Sequence, residues 1–335
     1  MSRFLVRRMS SIVFVLIGIS LLTFLIGHLA PGDPARLALG PRAKEESVQR
    51  LREKMGLDRP LWEQYLRYIS RLVRGDLGDS LLTRRPVLED LAIYLPASLE
   101  LTAASLLLCI LMGYPLGILA AHYDGKLPGE LISTLSVMGV AVPVFWIGIV
   151  FQLVFYRGLE LLPAGGRLPI GAEAPSSVTN LLIVDSLLAG DWKTLGVVLR
   201  HLALPAITLA LPNMAYIVKL VRWKIIEART ALYVRTAQGK GASERRVLLR
   251  HILPNALLPA VTMTGMLAGA MLGGAFLVEI IFNWSGIGFY VFRAIQAADL
   301  TPVLAVTIIV ALTYMVANLI VDLLYTLLDP RIRYE

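Results

Sequence analysis

One basic stretch, residues 227–259, lies between two apolar segments and is dense in positive charge. Two acids, Glu227 and Glu244, oppose six cations there, namely Arg229, Arg235, Lys240, Arg245, Arg246 and Arg250. Apolar residues recur at helical spacing, and Gly239 and Gly241 interrupt the pattern because glycine costs about 1 kcal/mol relative to alanine in a helix. The stretch therefore predicts two short amphipathic helices, hinged at Gly239–Gly241 and held against a membrane, where the cations would rest on anionic lipid headgroups.

Apolar residues predict the face on which each short helix rests. In the first helix, Tyr233 and Ala237 lie one turn apart. Pro254 is expected to end the second helix, because proline lacks a backbone N–H and clashes with the preceding turn. We expect these faces to lie against a membrane. The face of the second helix is formed by Val247, Leu248, Ile252 and Leu253.

Composition places the chain in a membrane. Of its 335 residues 56% are hydrophobic, and the mean hydropathy is +0.69, whereas soluble domains rarely exceed about half apolar residues. The net charge of +8 does not indicate nucleic acid, since no basic stretch outside the membrane-flanking loops is interleaved with aromatic residues. The single cysteine, Cys109, excludes an internal disulfide, and the four histidines show no metal-ligand spacing.

Six apolar segments predict an all-α, polytopic membrane protein with six transmembrane helices. Arg3, Arg7 and Arg8 before the first segment, with the basic stretch after the fourth, predict that both termini face the cytoplasm. The expected spans are 12–30, 97–121, 132–155, 201–221, 257–280 and 303–328. The expected organisation is a cytoplasmic N-terminus with the first span (1–30), an extracytoplasmic helical segment (31–95) and a five-helix core (96–335) whose cytoplasmic loop is 222–256.

Shorter helices are predicted between the spans. Val48, Leu51 and Met55 form one helical stripe that stops at Gly56. Further helices are expected to begin at Pro60 and Pro86, and a short interfacial or extracytoplasmic one is expected at 181–188. In the fourth span, two prolines are predicted to bend the helix, namely Pro205 and Pro212.

Small residues recur every fourth position in two spans, which allows helix backbones to approach closely. Such faces serve either packing within the chain or a contact between two membrane subunits. The two sets are Gly113, Gly117 and Ala121, and Gly265, Gly269 and Gly273.

The order of residues in the basic stretch resembles the loop that marks the membrane subunits of binding-protein-dependent ABC importers. Arg235-Thr236-Ala237 takes the place of Glu-Ala-Ala, Gly241 that of the glycine and Leu253-Pro254 the end; Arg235, Thr236 and His251 depart from the general pattern. The run from Tyr233 to Ala237, Lys240-Gly241 and Arg250-His251 is similar to the peptide/nickel permease branch. So are Val278 to Gly288, where Ser285 replaces a proline, and Asp329 to Arg333.

The resemblance implies the type I ABC permease fold and, together with the small-residue spacing of the fifth span, predicts two groups of site residues. The ATPase-coupling residues would be Glu227, Ala228, Tyr233, Arg235, Thr236, Ala237, Gly241, Leu253 and Pro254. The helix-packing or gating residues would be Gly265, Gly269, Gly273, Glu279 and Trp284.

The resemblance also implies a function: a non-catalytic permease subunit that forms half of the pathway of an ATP-driven importer for di- or oligopeptides. No G-x-x-x-x-G-K-[ST] phosphate loop occurs, so no cofactor is expected on this chain, and ATP is expected on partner subunits. The implied partners are a second related permease, two cytoplasmic ATPases, an extracytoplasmic binding protein and membrane lipid, in a bacterial or archaeal plasma membrane.

Two alternatives remain open at this point. Nickel, glutathione or another small solute could replace the peptide. An ion-coupled secondary transporter would need ionisable groups in mid-membrane, whereas Glu100, Glu279 and Asp322 lie towards the ends of their spans.

Overall fold

A computed structural model describes residues 2–29, 34–40, 43–172 and 175–328. In these ranges the regular structure is helical, and the only extended pairing is an isolated bridge between Asp79 and Pro86. The all-α prediction is therefore confirmed. The predicted turn at 31–33, the terminal motif at 329–333 and the side chains of Arg3, Arg7, Leu51, Met55 and Asp322 lie outside the described part.

The helices are labelled in chain order. Three π-helical turns interrupt them, at Cys109–Gly113, Gln152–Gly158 and Leu248–Ile252. The α-helices are α1 (Ser2–Leu29), α2 (Pro34–Leu39), α3 (Glu45–Met55), α4 (Leu61–Val73), α5 (Val87–Leu108), α6 (Tyr114–His122), α7 (Leu127–Ala141), α8 (Val144–Phe151), α9 (Leu182–Leu188), α10 (Trp192–Arg229), α11 (Leu232–Gly239), α12 (Glu244–Val247), α13 (Leu253–Ala256), α14 (Leu258–Ile281), α15 (Ile287–Gln296) and α16 (Leu300–Leu328).

The six predicted spans correspond to five continuous helical segments and one broken pair. The predicted third span, 132–155, is not one straight helix, because α7 and the segment that begins with α8 meet at an angle of 105°. Val142 is extended there (φ −88°, ψ 131°), as expected before Pro143. The continuous segments are Arg8–Leu29, Val87–His122, Trp192–Arg229, Leu258–Ile281 and Leu300–Ile320.

The longest helix, α10, extends beyond the predicted fourth span at both ends. Its 38 residues correspond to about 57 Å. The Asp191 carboxylate caps its first turn by accepting the Thr194 N–H at 2.9 Å, and hydrogen bonds from Thr194 hold the pKa of Asp191 below its usual range. The helix runs through Pro205 and Pro212 without interruption.

Two predicted helices before the second span are confirmed. Gly56 ends α3 with a left-handed conformation (φ 71°), and α4 follows Pro60 directly. The third helix begins after Pro86, as predicted, but it continues without a break across residue 95 into the second span. The short helix predicted at 181–188 is α9, whose place relative to the membrane stays a prediction.

The described residues form two compact units, the first comprising those up to 94 and 290–315, and the second 95–289 and 316–328. In the first unit, α4 packs alongside α1, where the Tyr65 hydroxyl lies 3.0 Å from the Ser20 hydroxyl. The 45-residue spacing repeats at Tyr68 and Thr23, whose hydroxyls are 3.2 Å apart. These contacts fix α4 beside a membrane span.

Two buried carboxylates join elements of the first unit. Asp90, in α5, contacts α15, and Asp299, directly before α16, contacts the turn that precedes α5. The Tyr290 hydroxyl donates to Asp90 at 2.7 Å, and the Ser80 hydroxyl donates to Asp299 at 2.8 Å. Burial, together with the adjacent Asp90 carboxylate, raises the pKa of Tyr290 above its usual range, so the phenol keeps its proton.

In the second unit, α6 packs against α10 through the first set of small residues. A Cβ atom added at Gly117 would lie 2.7 Å from the Val221 Cβ and 3.0 Å from the Val218 carbonyl oxygen. One added at Gly113 would lie 3.2 Å from Ile217, and Ala121 is fully buried. This face therefore serves packing within the chain.

The close contact predicts the effect of one added methyl group. Gly117→Ala forces Val221 and the α10 backbone to move, which costs about 1–3 kcal/mol and lowers the apparent Tm of the purified protein in detergent. The matched control is Gly196→Ala in α10, where a Cβ meets nothing within 4 Å. Thermal unfolding followed by tryptophan fluorescence should show a lower Tm for the first variant only. Equal Tm values would contradict the proposed close approach.

Candidate functional site

The predicted pair of short helices is present in the basic stretch, and the turn between them is centred on Gly241. This residue has φ +78°, a conformation that residues with a Cβ rarely adopt. Its N–H donates to the Gln238 carbonyl at 2.9 Å, and the Ala242 N–H donates to the Ala237 carbonyl at 3.2 Å. Gly239 is the last helical residue of α11, so of the two glycines only Gly241 has a backbone conformation that favours glycine.

The buried face of α11 differs from the predicted one. Val234 and Ala237 are buried in the core of the second unit, whereas Tyr233 is 43% exposed. The helix is rotated so that positions 234 and 237 face the protein, and this leaves Leu232 and Tyr233 at the surface. This face of α11 packs on the protein's own core, whereas the sequence predicted that it lies against a membrane.

The buried face predicted for the second short helix is confirmed, but its end is not. Val247 and Ile252 are buried, and Leu248 and Leu253 pack against the same core. Pro254 does not end the helix; it lies in the first turn of α13, where a backbone N–H has no partner within the helix. A π-helical turn lies directly before α13.

The opposite side of the basic stretch presents unpaired positive charge. All six of its cations are exposed, and in the described part of the chain none forms an ion pair. Glu227 instead pairs with Lys224 at 2.8 Å, and the Ala228 side chain is buried. Exposed apolar side chains, among them Leu232 and Leu249, accompany the cations. Such a surface can bind an apolar groove with an acidic rim.

Glu279, predicted as a packing or gating residue, is fully buried at the other end of α14. Its carboxylate accepts the Ser98 hydroxyl at 2.5 Å, the Gly288 N–H at 2.7 Å and the Phe289 N–H at 3.1 Å. Donors from α5 and from the start of α15 thus satisfy the acid. A Cβ added at Gly286 would collide with the Glu279 carboxyl and with the Ser98 hydroxyl oxygen. Close approach therefore explains the glycine in this motif.

Trp284 completes this arrangement, which we call the Glu279 cluster (Ser98, Glu279, Trp284, Gly286 and Gly288). The indole is fully buried and donates to the Ala97 carbonyl at 2.9 Å. The Arg167 guanidinium lies 5.8 Å from the indole ring centre and pairs with the buried Glu100 at 2.7 Å.

Sequence reasoning missed Ser98 and Arg167. The sequence did contain a signal for Arg167. The carboxylate of Glu100 lies in an apolar segment and therefore needs a partner, and Arg167 is the sole cation of the Gly/Pro-rich stretch 162–177. No signal in the sequence pointed to Ser98, since a serine beside a helix start has many ordinary roles.

The three glycines of the second set of small residues, in α14, differ in burial. Gly265 and Gly269 are buried, whereas Gly273 is exposed and a Cβ added there would meet nothing within 4 Å. The three glycines therefore do not share one contact within this chain.

The coupling residues and the Glu279 cluster lie at opposite ends of α14, and Gly265, Gly269 and Gly273 lie within the helix between them. The coupling residues precede the helix, and the Glu279 cluster lies at its far end, about 36 Å away along the 24 residues. The first group is a surface, and the second is a buried hydrogen-bonded structure.

Comparison with known proteins agrees with this geometry. Residues 113–334 match the family described as the inner membrane component of binding-protein-dependent transport systems, and residues 1–102 match the N-terminal region of such membrane components. The chain belongs to this family. The resemblance drawn from the basic stretch is thereby confirmed, and the permease has the type I ABC permease fold.

Curated relatives align with the whole permease. The probable D,D-dipeptide transport system permease protein DdpB of Escherichia coli (strain K12) is 42% identical over 97% of this chain and 96% of its own. The dipeptide transport system permease protein DppB of Alkalihalophilus pseudofirmus is 37% identical over the full length of both chains. The glutathione transport system permease protein GsiC of Escherichia coli O6:H1 is 34% identical, also over both full lengths.

Family membership decides between the function classes. The chain is a non-catalytic, multi-pass inner-membrane permease subunit of an ABC importer, whose ATPase resides on separate subunits. The alternative of an ion-coupled secondary transporter is therefore wrong.

The Glu279 cluster predicts a sharp effect at Gly286. Gly286→Ala places a methyl group against the Glu279 carboxyl, so the cluster must open and leave a buried acid short of donors, a loss of about 1–3 kcal/mol or more. Gly274→Ala is the matched control, because a Cβ there meets nothing within 4 Å. We expect a reduced yield of folded permease and a lower Tm for Gly286→Ala alone, measured after purification in detergent. Indistinguishable variants would contradict the role given to Gly286.

Proposed function

We propose that this permease forms half of the translocation pathway of an ATP-driven importer of dipeptides, and that residues 227–259 couple it to the ATPases. The observation that supports coupling is the division of α11 and its neighbours into two sides. One side is fixed in the core through Val234 and Ala237, and the other exposes apolar and cationic side chains. A segment held in this way can transmit a force from a partner.

Its connections to the spans support the same proposal. Two residues separate α10 from α11, and one residue separates α13 from α14. The Thr230 hydroxyl donates to the Glu227 carbonyl at 2.8 Å, which closes the end of α10. A displacement of α11 by a partner therefore moves the ends of two spans together, with little slack in the connections.

The individual coupling residues receive distinct proposed roles. Tyr233 and Arg235 are exposed and would contact the ATPase, the arginine at an acidic rim. Thr236 donates its hydroxyl to the Leu232 carbonyl at 2.9 Å and stabilises α11 locally. Gly241 makes the turn, and Glu227, Ala228, Leu253 and Pro254 shape the ends of the adjoining helices.

Dipeptides are the proposed substrate because of the relatives' names. Those named for dipeptide transport are 36–42% identical over nearly the whole chain, against 34% for the glutathione permease. Oligopeptides differ from dipeptides only in length, and substrate choice within such systems lies partly with the binding protein.

We further propose the assembly and orientation that the sequence predicts. A second related permease, two cytoplasmic ATPases that bind the ATP, an extracytoplasmic binding protein and membrane lipid would be the partners. Both termini and residues 222–256 would face the cytoplasm, which the concentration of cations in that loop supports. The exposed Gly273 is the position on α14 that we propose for a contact with the second permease.

Transport by the reconstituted complex tests this function. With its binding protein and ATPases in proteoliposomes, the permease should accumulate a labelled dipeptide when ATP is hydrolysed, and glutathione in excess should compete weakly. A permease complex with an ATPase variant that binds but does not hydrolyse ATP is the control. Uptake of glutathione but not of dipeptides would contradict the substrate assignment.

The turn at Gly241 tests the coupling role. Gly241→Val forces a β-branched residue to φ near +78°, which costs on the order of 1–3 kcal/mol and should displace α11 while the spans remain inserted. Gly239→Val is the matched control, since Gly239 is helical and a Cβ there meets open space. We expect Gly241→Val to lose co-purifying ATPase or the hydrolysis stimulated by loaded binding protein. Wild-type behaviour on both measures would show that the loop does not couple.

A further inference from the structure

A cationic cavity of about 590 Å³ lies in the first unit, where α4 and the end of α3 meet α1. The span contributes Phe24 and His28 to its wall. The remaining wall is formed by Leu57, by polar and aromatic side chains of α4 and by four cations, which are Lys54, Arg67, Arg71 and Arg74.

The charge of this cavity is not balanced within the described part of the chain, where no acid lines it. Arg67 pairs with Glu63 at 3.2 Å, but within the described part of the chain Lys54, Arg71 and Arg74 form no ion pair. Three uncompensated cations around one cavity favour an anionic ligand, and guanidinium groups match the geometry of a phosphate.

The cavity lies at the end of a membrane span. Phe24 and His28 belong to the last two turns of the apolar segment Arg8–Leu29. The His28 ring donates its Nε2–H to the Gln64 amide oxygen at 2.8 Å, which joins the span to α4 at this level. A ligand in the cavity is therefore at the boundary between hydrocarbon and water.

The distribution of side chains around α4 also fits a position at the boundary between hydrocarbon and water. At 100° per residue, Arg67, Arg71 and Arg74 fall on one flank, and Trp62 and Leu66 fall on the other. Trp62 is 66% exposed and Leu66 57% exposed. A helix with an exposed apolar flank, an interfacial tryptophan and an arginine-rich flank is typical of helices that lie in the membrane interface.

From this arrangement we infer that the cavity binds the phosphate headgroup of an anionic phospholipid. The acyl chains extend along apolar residues that α1 exposes within about 100° of Phe24 around the helix axis, namely Leu21 and Leu25. A free phosphate would leave these side chains without a partner, which is why the ligand is a lipid rather than an inorganic anion. This site is independent of the coupling segment and of the transported substrate.

Lipid titration of the assembled complex tests the site. The detergent-solubilised complex is titrated with short-chain phosphatidylglycerol, short-chain phosphatidylcholine and inorganic phosphate, and bound ligand is measured by native mass spectrometry. We expect phosphatidylglycerol to bind at least several-fold more tightly than phosphatidylcholine. The Arg71→Gln/Arg74→Gln double variant should weaken phosphatidylglycerol binding about 25-fold, because each cation near a headgroup contributes about a factor of five.

A matched double variant, Arg36→Gln/Arg50→Gln, removes the same charge outside the cavity, where each arginine pairs with a glutamate. It should bind within about twofold of the wild type, because its lost charges do not contact the ligand. Lys54→Gln gives a second test from the α3 wall if the first double variant does not assemble. Equal binding of the two lipids, an equal loss in the control, or inorganic phosphate binding as tightly as phosphatidylglycerol would each overturn the inference.

Discussion

The close packing of α6 on α10 is the contact on which the second unit depends. It brings Gly113 and Gly117 against Ile217 and Val221, with no room for a single added carbon at Gly117. Lipid provides no hydrophobic drive for two apolar helices to associate, so a close fit between their surfaces must supply the attraction. Because α10 also contacts α7, α8, α9 and α14, this fit sets the positions of most other elements of the unit.

The two ends of the second unit differ in how their polar groups are satisfied. At one end, Glu279 and Trp284 are fully buried, and backbone N–H groups, a serine and a carbonyl satisfy them. Such a network is rigid, because the loss of any one donor leaves the buried acid unpaired in the protein interior, which solvates a carboxyl group poorly. At the other end, the basic stretch keeps one side in the core and leaves its charges unpaired. A segment that receives force from a partner protein needs one end fixed in the protein and one end exposed to the partner. The helices of the second unit have both.

Much of this could be predicted from the sequence, because membrane spans and helix ends follow from composition and from single residues. Gly56, Pro60 and Gly241 marked helix boundaries or turns correctly, and the order of residues in the basic stretch identified the family. The break at Pro143 was available from the rule for residues before proline but was overlooked. The rotation of α11, the π-helical turn before α13 and the Ser98 partner of Glu279 depend on long-range packing, which local periodicity does not encode.

Proximity between α11 and the ATPase tests the account most directly. The single native cysteine, Cys109, is buried, so a cysteine introduced at the exposed Leu232 can carry a photoreactive crosslinker without background labelling. Leu188, exposed near the start of α10 in the chain, is the matched control position. The account predicts that the assembled complex crosslinks to an ATPase subunit from position 232 and not from position 188. Crosslinks from position 232 to lipid alone would contradict it.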